Sequence, residues 1–153
     1  MNEQRLAAFK IERRTLAAAV FVGERLEYAD LRQLASDPQR SESSAIGFVQ
    51  WIIEAFHVES VAMERTDSGG PSRRGFLTQM IGGSLHADGI AVWQVQKKDL
   101  LSAYGIPPLR TRRELRTIVH NFWPVMPAAN IHGSTLDAAA LGLYVQIRRL
   151  LTN

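Results

Sequence analysis

The sequence contains no cysteine among its 153 residues. Disulfides, thiolate zinc sites and a cysteine nucleophile are therefore excluded. Any metal site would have to use carboxylates, histidines or carbonyls. If acids dominate such a site, they favour hard ions such as Mg²⁺ or Mn²⁺.

Long apolar runs are missing as well, since none approaches the roughly 20 residues that a transmembrane helix needs. The N-terminal residues lack the basic region and apolar core of a signal peptide. We therefore expect a cytoplasmic protein. The sequence motifs of P-loop enzymes, dinucleotide-binding proteins, serine hydrolases and zinc metalloproteases are also absent, which argues against those activities.

The composition is that of an ordinary soluble protein, with 46% hydrophobic and 22% charged residues. A chain of this length predicts a single domain over residues 1–153 with one hydrophobic core. The net charge of +3 is compatible with nucleic-acid binding but does not demand it. Bound phosphates need a local basic patch rather than a basic total.

Apolar segments in the first 32 residues predict a three-stranded antiparallel meander over 6–15, 16–22 and 25–32. One helix over 2–19 is an alternative, because alanine and leucine are good helix formers. The polar segment 35–44 predicts a loop with an Asp-Pro step. A helical stripe over 46–56 follows it.

The segment Val58 to Thr66 predicts a buried strand that ends in one carboxylate, Glu64. Later elements are a helix over 75–85, a strand over 90–95, a short helical segment to 104, a helix from 112 and a last helix over 134–151. Helices between the later strands favour parallel crossovers. The predicted architecture is α/β, with a mixed five-stranded sheet flanked by helices.

The element order resembles the RNase H-like fold, in particular its RuvC-like Holliday-junction resolvase branch. In that branch an acid ends the fourth strand, as Glu64 ends VAME here. A glycine-bearing loop and a helix follow, and the next strand leads to a lysine-containing turn, here Lys97-Lys98. The last helix opens with an acid among small apolar residues, as LDAAALGL does around Asp137.

The resemblance implies a nucleic-acid-binding domain acting on DNA, branched DNA in particular, in recombination or repair, and working as a homodimer. It implies an endonuclease that uses Mg²⁺ or Mn²⁺. Glu64 and Asp137 would be catalytic acids and metal ligands, with Glu12 as a third catalytic acid.

The sequence departs from the family pattern in the first strand, where the primary metal ligand should be an aspartate. The corresponding position here falls on Phe9 or Lys10. Two-metal cleavage holds two ions about 3.5–4 Å apart and needs several carboxylates, and a lysine would repel a metal. A catalytically inactive RNase H-like fold that serves as a binding or assembly module is therefore the alternative. An unrelated α/β interaction domain is a third.

Basic residues near the proposed site are the candidates for nucleic-acid binding. They are Arg73, Arg74, Lys97, Lys98, Arg112 and Arg113. A structural role is open for the acids, since Glu64 could pair with Arg65, Arg73 or Arg74. Asp137 could simply complete a Ser134-x-x-Asp helix start. Asp67 and His132 are secondary site candidates, and the tryptophans are predicted to lie in the core or an interface.

Overall fold

The computed structural model describes residues 4–65, 72–123 and 133–152. The strands in these ranges are β1 (Arg5–Ile11), β2 (Thr15–Val22), β3 (Arg25–Gln33), β4 (Ser60–Glu64) and β5 (Ala91–Val95). The helices are α1 (Pro38–Phe56), α2 (Arg73–Ala87), α3 (Lys97–Ala103), α4 (Arg112–Phe122) and α5 (Gly133–Thr152). Asp67 and His132 lie outside the described residues.

The strands form one mixed sheet in the order β3-β2-β1-β4-β5. The first three strands are antiparallel, and β1, β4 and β5 are parallel. This confirms the predicted fold class. The helix alternative over 2–19 is wrong, because β1 and β2 pair along their whole length from Arg5–Val22 to Ile11–Leu16.

Both faces of the sheet are covered, which explains why β1 and β2 are almost continuously apolar. One core holds the β1 side chains of Leu6 and Ala8 together with residues of α4 and α5. The other core holds Ala7 and Phe9 together with residues of α1 and α2. Helix α5 approaches the sheet so closely at Gly142 that a Cβ there would overlap the ring of Phe21.

Helices α1 and α2 begin earlier than predicted, each directly after a residue whose side chain caps the helix. α1 starts inside the predicted loop, because the Asp37 side chain accepts a hydrogen bond from the Gln39 amide at 3.2 Å and Pro38 suits the first turn. α2 starts two residues early, after the N-cap Ser72. Arg73 and Arg74 therefore lie in the first turn of α2.

One of the three tryptophans packs against the core, and an interface role for the other two stays a prediction. Trp51 and Trp93 are 48% and 38% exposed, which excludes the core for both. Trp123 packs edge-on against Phe21, with ring centroids 5.9 Å apart.

In the described part of the chain, no helix is both long and apolar enough to span a membrane.

Candidate functional site

The parallel pairing of β1 and β4 brings the carboxyl ends of both strands to the same edge of the sheet. Phe9 pairs with Met63, so Lys10 and Glu64 follow side by side in the same register. Side chains alternate between the two faces of a strand. Lys10 and Glu64 therefore share the face that α5 covers, whereas Phe9 belongs to the opposite core. Of the two residues that could occupy the family's metal-ligand position, Phe9 and Lys10, the register therefore selects Lys10.

Lys10 and Glu64 form a buried ion pair. The Lys10 ammonium donates to Glu64 Oε2 at 2.8 Å, and the two residues are only 1% and 6% exposed. The same ammonium lies 3.6 Å from Glu12 Oε1. Glu12 sits in the β1–β2 turn, where its amide donates to the carbonyl of Thr15.

Two arginines of α4 complete the arrangement. Arg112 donates from Nη2 to Glu64 Oε1 at 2.6 Å, and its Nη1 lies 3.7 Å from Asp137 Oδ2. Arg116 binds Asp137 with both arms of its guanidinium, at 3.1 and 2.7 Å. Residues four apart lie on one face of a helix, so α4 directs both arginines toward the acids.

Together these residues make an ion-pair cluster of three acids and three cations: Glu12, Glu64, Asp137, Lys10, Arg112 and Arg116. Arg74 approaches from α2, with Nη2 4.0 Å from Glu64 Oε1. The acids therefore carry no uncompensated negative charge. A buried ion pair is tolerated only when its remaining hydrogen-bonding capacity is also satisfied. The bidentate contact of Arg116 satisfies both oxygens of Asp137, whereas Nη1 of Arg112 is buried without a hydrogen-bond partner in the described residues.

The pKa values reflect this compensation. Burial raises the pKa of Glu64, but the hydrogen bond and charge of Arg112 and of Lys10 outweigh burial and hold it below its usual value. Burial lowers the pKa of Arg112, yet its bond to Glu64 and the nearby acids raise it overall. The bond to Asp137 likewise raises the pKa of Arg116. Glu64, Arg112 and Arg116 are therefore charged at neutral pH.

This donor set does not fit a divalent metal centre. Both oxygens of Glu64 accept hydrogen bonds from cations, and both oxygens of Asp137 accept from Arg116. Among the described residues, no three histidine or acidic side chains are grouped closely enough to hold an ion. The catalytic and metal-ligand roles of Glu64, Asp137 and Glu12 stay predictions, although the three acids do meet around shared cations.

The predicted structural role is right for Glu64, which pairs with an arginine, and wrong for Asp137. Glu64 is ion-paired, but through Lys10 and Arg112 as well as Arg74. Asp137 lies beyond the first turn of α5 and is 1% exposed, so interpreting it as a helix-start acid is wrong. Glu64 and Asp137 are bound by Arg112 and Arg116. The four-residue spacing of these arginines, which places them on one face of a helix, is the sequence feature that could have indicated them.

The predicted nucleic-acid-binding residues divide into exposed and structural ones. Lys97 and Lys98 are exposed at the start of α3, directly after β5, and Arg113 is exposed in the first turn of α4. Arg112 is largely committed to Glu64. Arg73 is tied to Glu42 at 3.3 Å and to the carbonyl of Pro38 at 2.9 Å.

Comparisons of the fold agree with the resemblance read from the sequence. The chain is similar to RuvC of Thermus thermophilus, with a TM-score of 0.78 at 15% identity over 97% of this chain and 98% of that one. It is similar to the same protein in complex with Holliday junction substrate (TM-score 0.73, 15% identity, 96% of both chains). The yeast mitochondrial Holliday junction resolvase Ydc2 gives a TM-score of 0.65 at 11% identity over 99% of this chain and 85% of that one.

No protein-family model matches the sequence, and no curated protein matches it. The likeness is therefore one of structure. The chain has a RuvC-like, RNase H-like fold.

Proposed function

We propose that this chain is a DNA-binding RNase H-like module that does not hydrolyse DNA. The observation that carries the proposal is the 2.8 Å contact between the Lys10 ammonium and Glu64 Oε2. In the resembled family this first-strand position supplies a metal-binding aspartate, and here it supplies a cation.

A metal ion would have to displace Lys10 and Arg112 from Glu64 before it could bind. That would leave the Lys10 ammonium, in a residue only 1% exposed, facing a second cation. Breaking a buried pair in this way costs about 3–5 kcal/mol. Without bound metal, nothing in the cluster can activate water for phosphodiester cleavage, since every acid is engaged by a cation.

DNA binding is supported by the exposed basic residues around the same edge of the sheet. Lys97, Lys98 and Arg113 are solvent-exposed at the starts of α3 and α4. Such side chains bind phosphates as point charges or forks, and the resulting affinity falls with salt. We take branched DNA as the ligand, because a structural neighbour has been captured with a Holliday junction.

The testing experiment measures cleavage and binding on the same substrates. Wild type and Glu64→Gln are incubated with a four-way DNA junction and with single-stranded DNA, in Mg²⁺ or Mn²⁺. We expect no cleavage by either protein and salt-sensitive junction binding by both. We expect Lys97→Ala/Lys98→Ala to bind more weakly. Metal-dependent cleavage by wild type that Glu64→Gln abolishes would restore the nuclease hypothesis.

The working unit in this proposal is a homodimer, as the resemblance implies. Sedimentation velocity with and without the junction tests it directly. A monomer that binds the junction without self-association would remove the dimer from the proposal and leave DNA binding intact.

A further inference from the structure

A basic notch lies at the carboxyl end of the sheet, beside the ion-pair cluster but separate from it. It is lined by Arg13 and Arg14 of the β1–β2 turn, by Ser36 and Pro38, and by Arg73. Its volume is about 180 Å³. A water molecule takes up about 30 Å³ of the liquid, so the notch has room for a phosphate group.

The turn that carries the first two arginines is fixed at both ends. The Glu12 amide donates to the carbonyl of Thr15 at 2.9 Å, and the Leu34 amide donates to the carbonyl of Arg14 at 2.8 Å. The backbone therefore holds Arg13 and Arg14 at the notch. Their side chains are exposed and make no hydrogen bond or ion pair with any described residue.

The opposite wall is preorganised by Arg73. Its guanidinium binds Glu42 Oε1 at 3.3 Å and the carbonyl of Pro38 at 2.9 Å, and it lies 5.7 Å from the centre of the Phe76 ring. These contacts fix the group without using all five of its donors. The loss of freedom on binding a ligand is smaller for a group that is already held.

The local charge balance favours an anion. The acids near the notch already have partners. Glu12 forms an ion pair with Lys10, Glu42 forms one with Arg73, and Asp37 caps α1. Pro38 and Arg73, which line the notch, are also the first residues of α1 and α2, and neither helix has an acid in its first turn. The N-terminus of α1 already carries the carboxylate of its cap Asp37, whereas α2 is capped by the neutral Ser72. The positive end of the α2 dipole thus adds to the two uncompensated arginines.

We infer that the notch of Arg13, Arg14, Ser36 and Arg73 binds a backbone phosphate of the nucleic acid. The inference rests on the proposed DNA-binding function. It adds Arg13 and Arg14 of the β1–β2 turn, which are not among the predicted nucleic-acid-binding residues, to the surface that contacts DNA. Phosphate contacts position a duplex without reading its sequence. The notch is therefore a site for any DNA strand that crosses this edge.

The test compares Arg13→Ala/Arg14→Ala with a charge-matched control, Arg25→Ala/Arg148→Ala. The control arginines lie toward the other end of the sheet: Arg25 pairs with Val22, and Arg148 is next to Arg149, which contacts Ser60. Binding to a four-way junction and to a linear duplex is measured at several salt concentrations. Thermal unfolding of each variant confirms that the fold is retained.

We expect the Arg13→Ala/Arg14→Ala variant to bind both DNAs about tenfold more weakly at moderate salt. The slope of log affinity against log salt should be shallower by about 1–2, since each neutralised phosphate contributes about 0.9. The control should keep the wild-type slope. If the Arg13→Ala/Arg14→Ala variant has the same slope and affinity as the control, the notch does not bind a phosphate, and the proposed DNA-binding function is unaffected. Wild type that shows no salt-sensitive DNA binding would overturn both the notch and the proposed function.

Discussion

Replacing Lys10 by methionine removes the cation from the centre of the ion-pair cluster and keeps an unbranched side chain of similar length. Glu64 Oε2 then loses its 2.8 Å partner while the carboxylate stays 6% exposed. Arg112 still holds Oε1 at 2.6 Å, so the orphaned charge is only partly uncompensated. The substitution also removes the 3.6 Å contact of Lys10 with Glu12 Oε1, but it leaves the contacts of Arg112 and Arg116 with the acids in place.

The expected cost follows from that geometry. Removing one partner of a buried pair costs about 3–5 kcal/mol, and the surviving Arg112 contact places Lys10→Met near 3 kcal/mol. For a protein of this size each kcal/mol lowers the melting temperature by about 2–4 °C, which predicts a loss of about 6–12 °C. Urea unfolding of the variant near neutral pH gives the free energy directly.

The double variant Lys10→Met/Glu64→Gln separates lost charge from lost packing. The glutamine keeps an acceptor for Arg112 but leaves no unpaired carboxylate. We expect the double variant to recover most of the loss, because replacing both members of a buried pair is often close to neutral. A free energy of unfolding for Lys10→Met within about 1 kcal/mol of wild type would contradict a buried Lys10–Glu64 pair, as would a double variant no more stable than the single one.

Two further predictions follow from Glu64 and from the glycines. Because the folded pKa of Glu64 is depressed, its contribution is full above the unfolded value of about 4.3 and is lost as pH falls through the folded pKa. The difference in free energy of unfolding between wild type and Glu64→Gln, measured by urea unfolding, should therefore become smaller as the pH is lowered into the acid range. A difference that does not change with pH would contradict the depressed pKa of Glu64. Gly142→Ala should cost about 1–3 kcal/mol, since the new methyl overlaps Phe21. Gly83 is exposed in α2, and a Cβ added there would have no other atom within 4 Å. Gly83→Ala should therefore stabilise the fold by up to about 1 kcal/mol. Equal effects of the two substitutions on the free energy of unfolding would contradict the close packing at Gly142.

The sheet and the position of Glu64 could be read from the sequence because both are local patterns. Short apolar runs separated by turn residues specify strands, and the run ending in Glu64 marks the carboxyl end of β4. The helix starts were less readable. The caps Asp37 and Ser72 sit in polar segments that look like loops until the side-chain hydrogen bonds are seen.

The partners of the acids could not be read in the same way, because they depend on register and on tertiary packing. Whether Phe9 or Lys10 faces Glu64 is decided by the pairing of Phe9 with Met63, which no local pattern encodes. Arg116 meets Asp137 only because α4 packs beside α5. The basic notch likewise joins segments far apart in the chain, so Arg13 and Arg14 carry no signal of it alone.

Lys10 and Arg112 occupy both oxygens of Glu64, the acid that the resemblance would make a metal ligand. Isothermal titration of wild type and Glu64→Gln with Mn²⁺ tests this arrangement most directly, without relying on any cleavage assay. We expect no saturable binding by either protein up to about 1 mM Mn²⁺, the range of weak carboxylate sites. Stoichiometric Mn²⁺ binding by wild type that disappears in Glu64→Gln would contradict it.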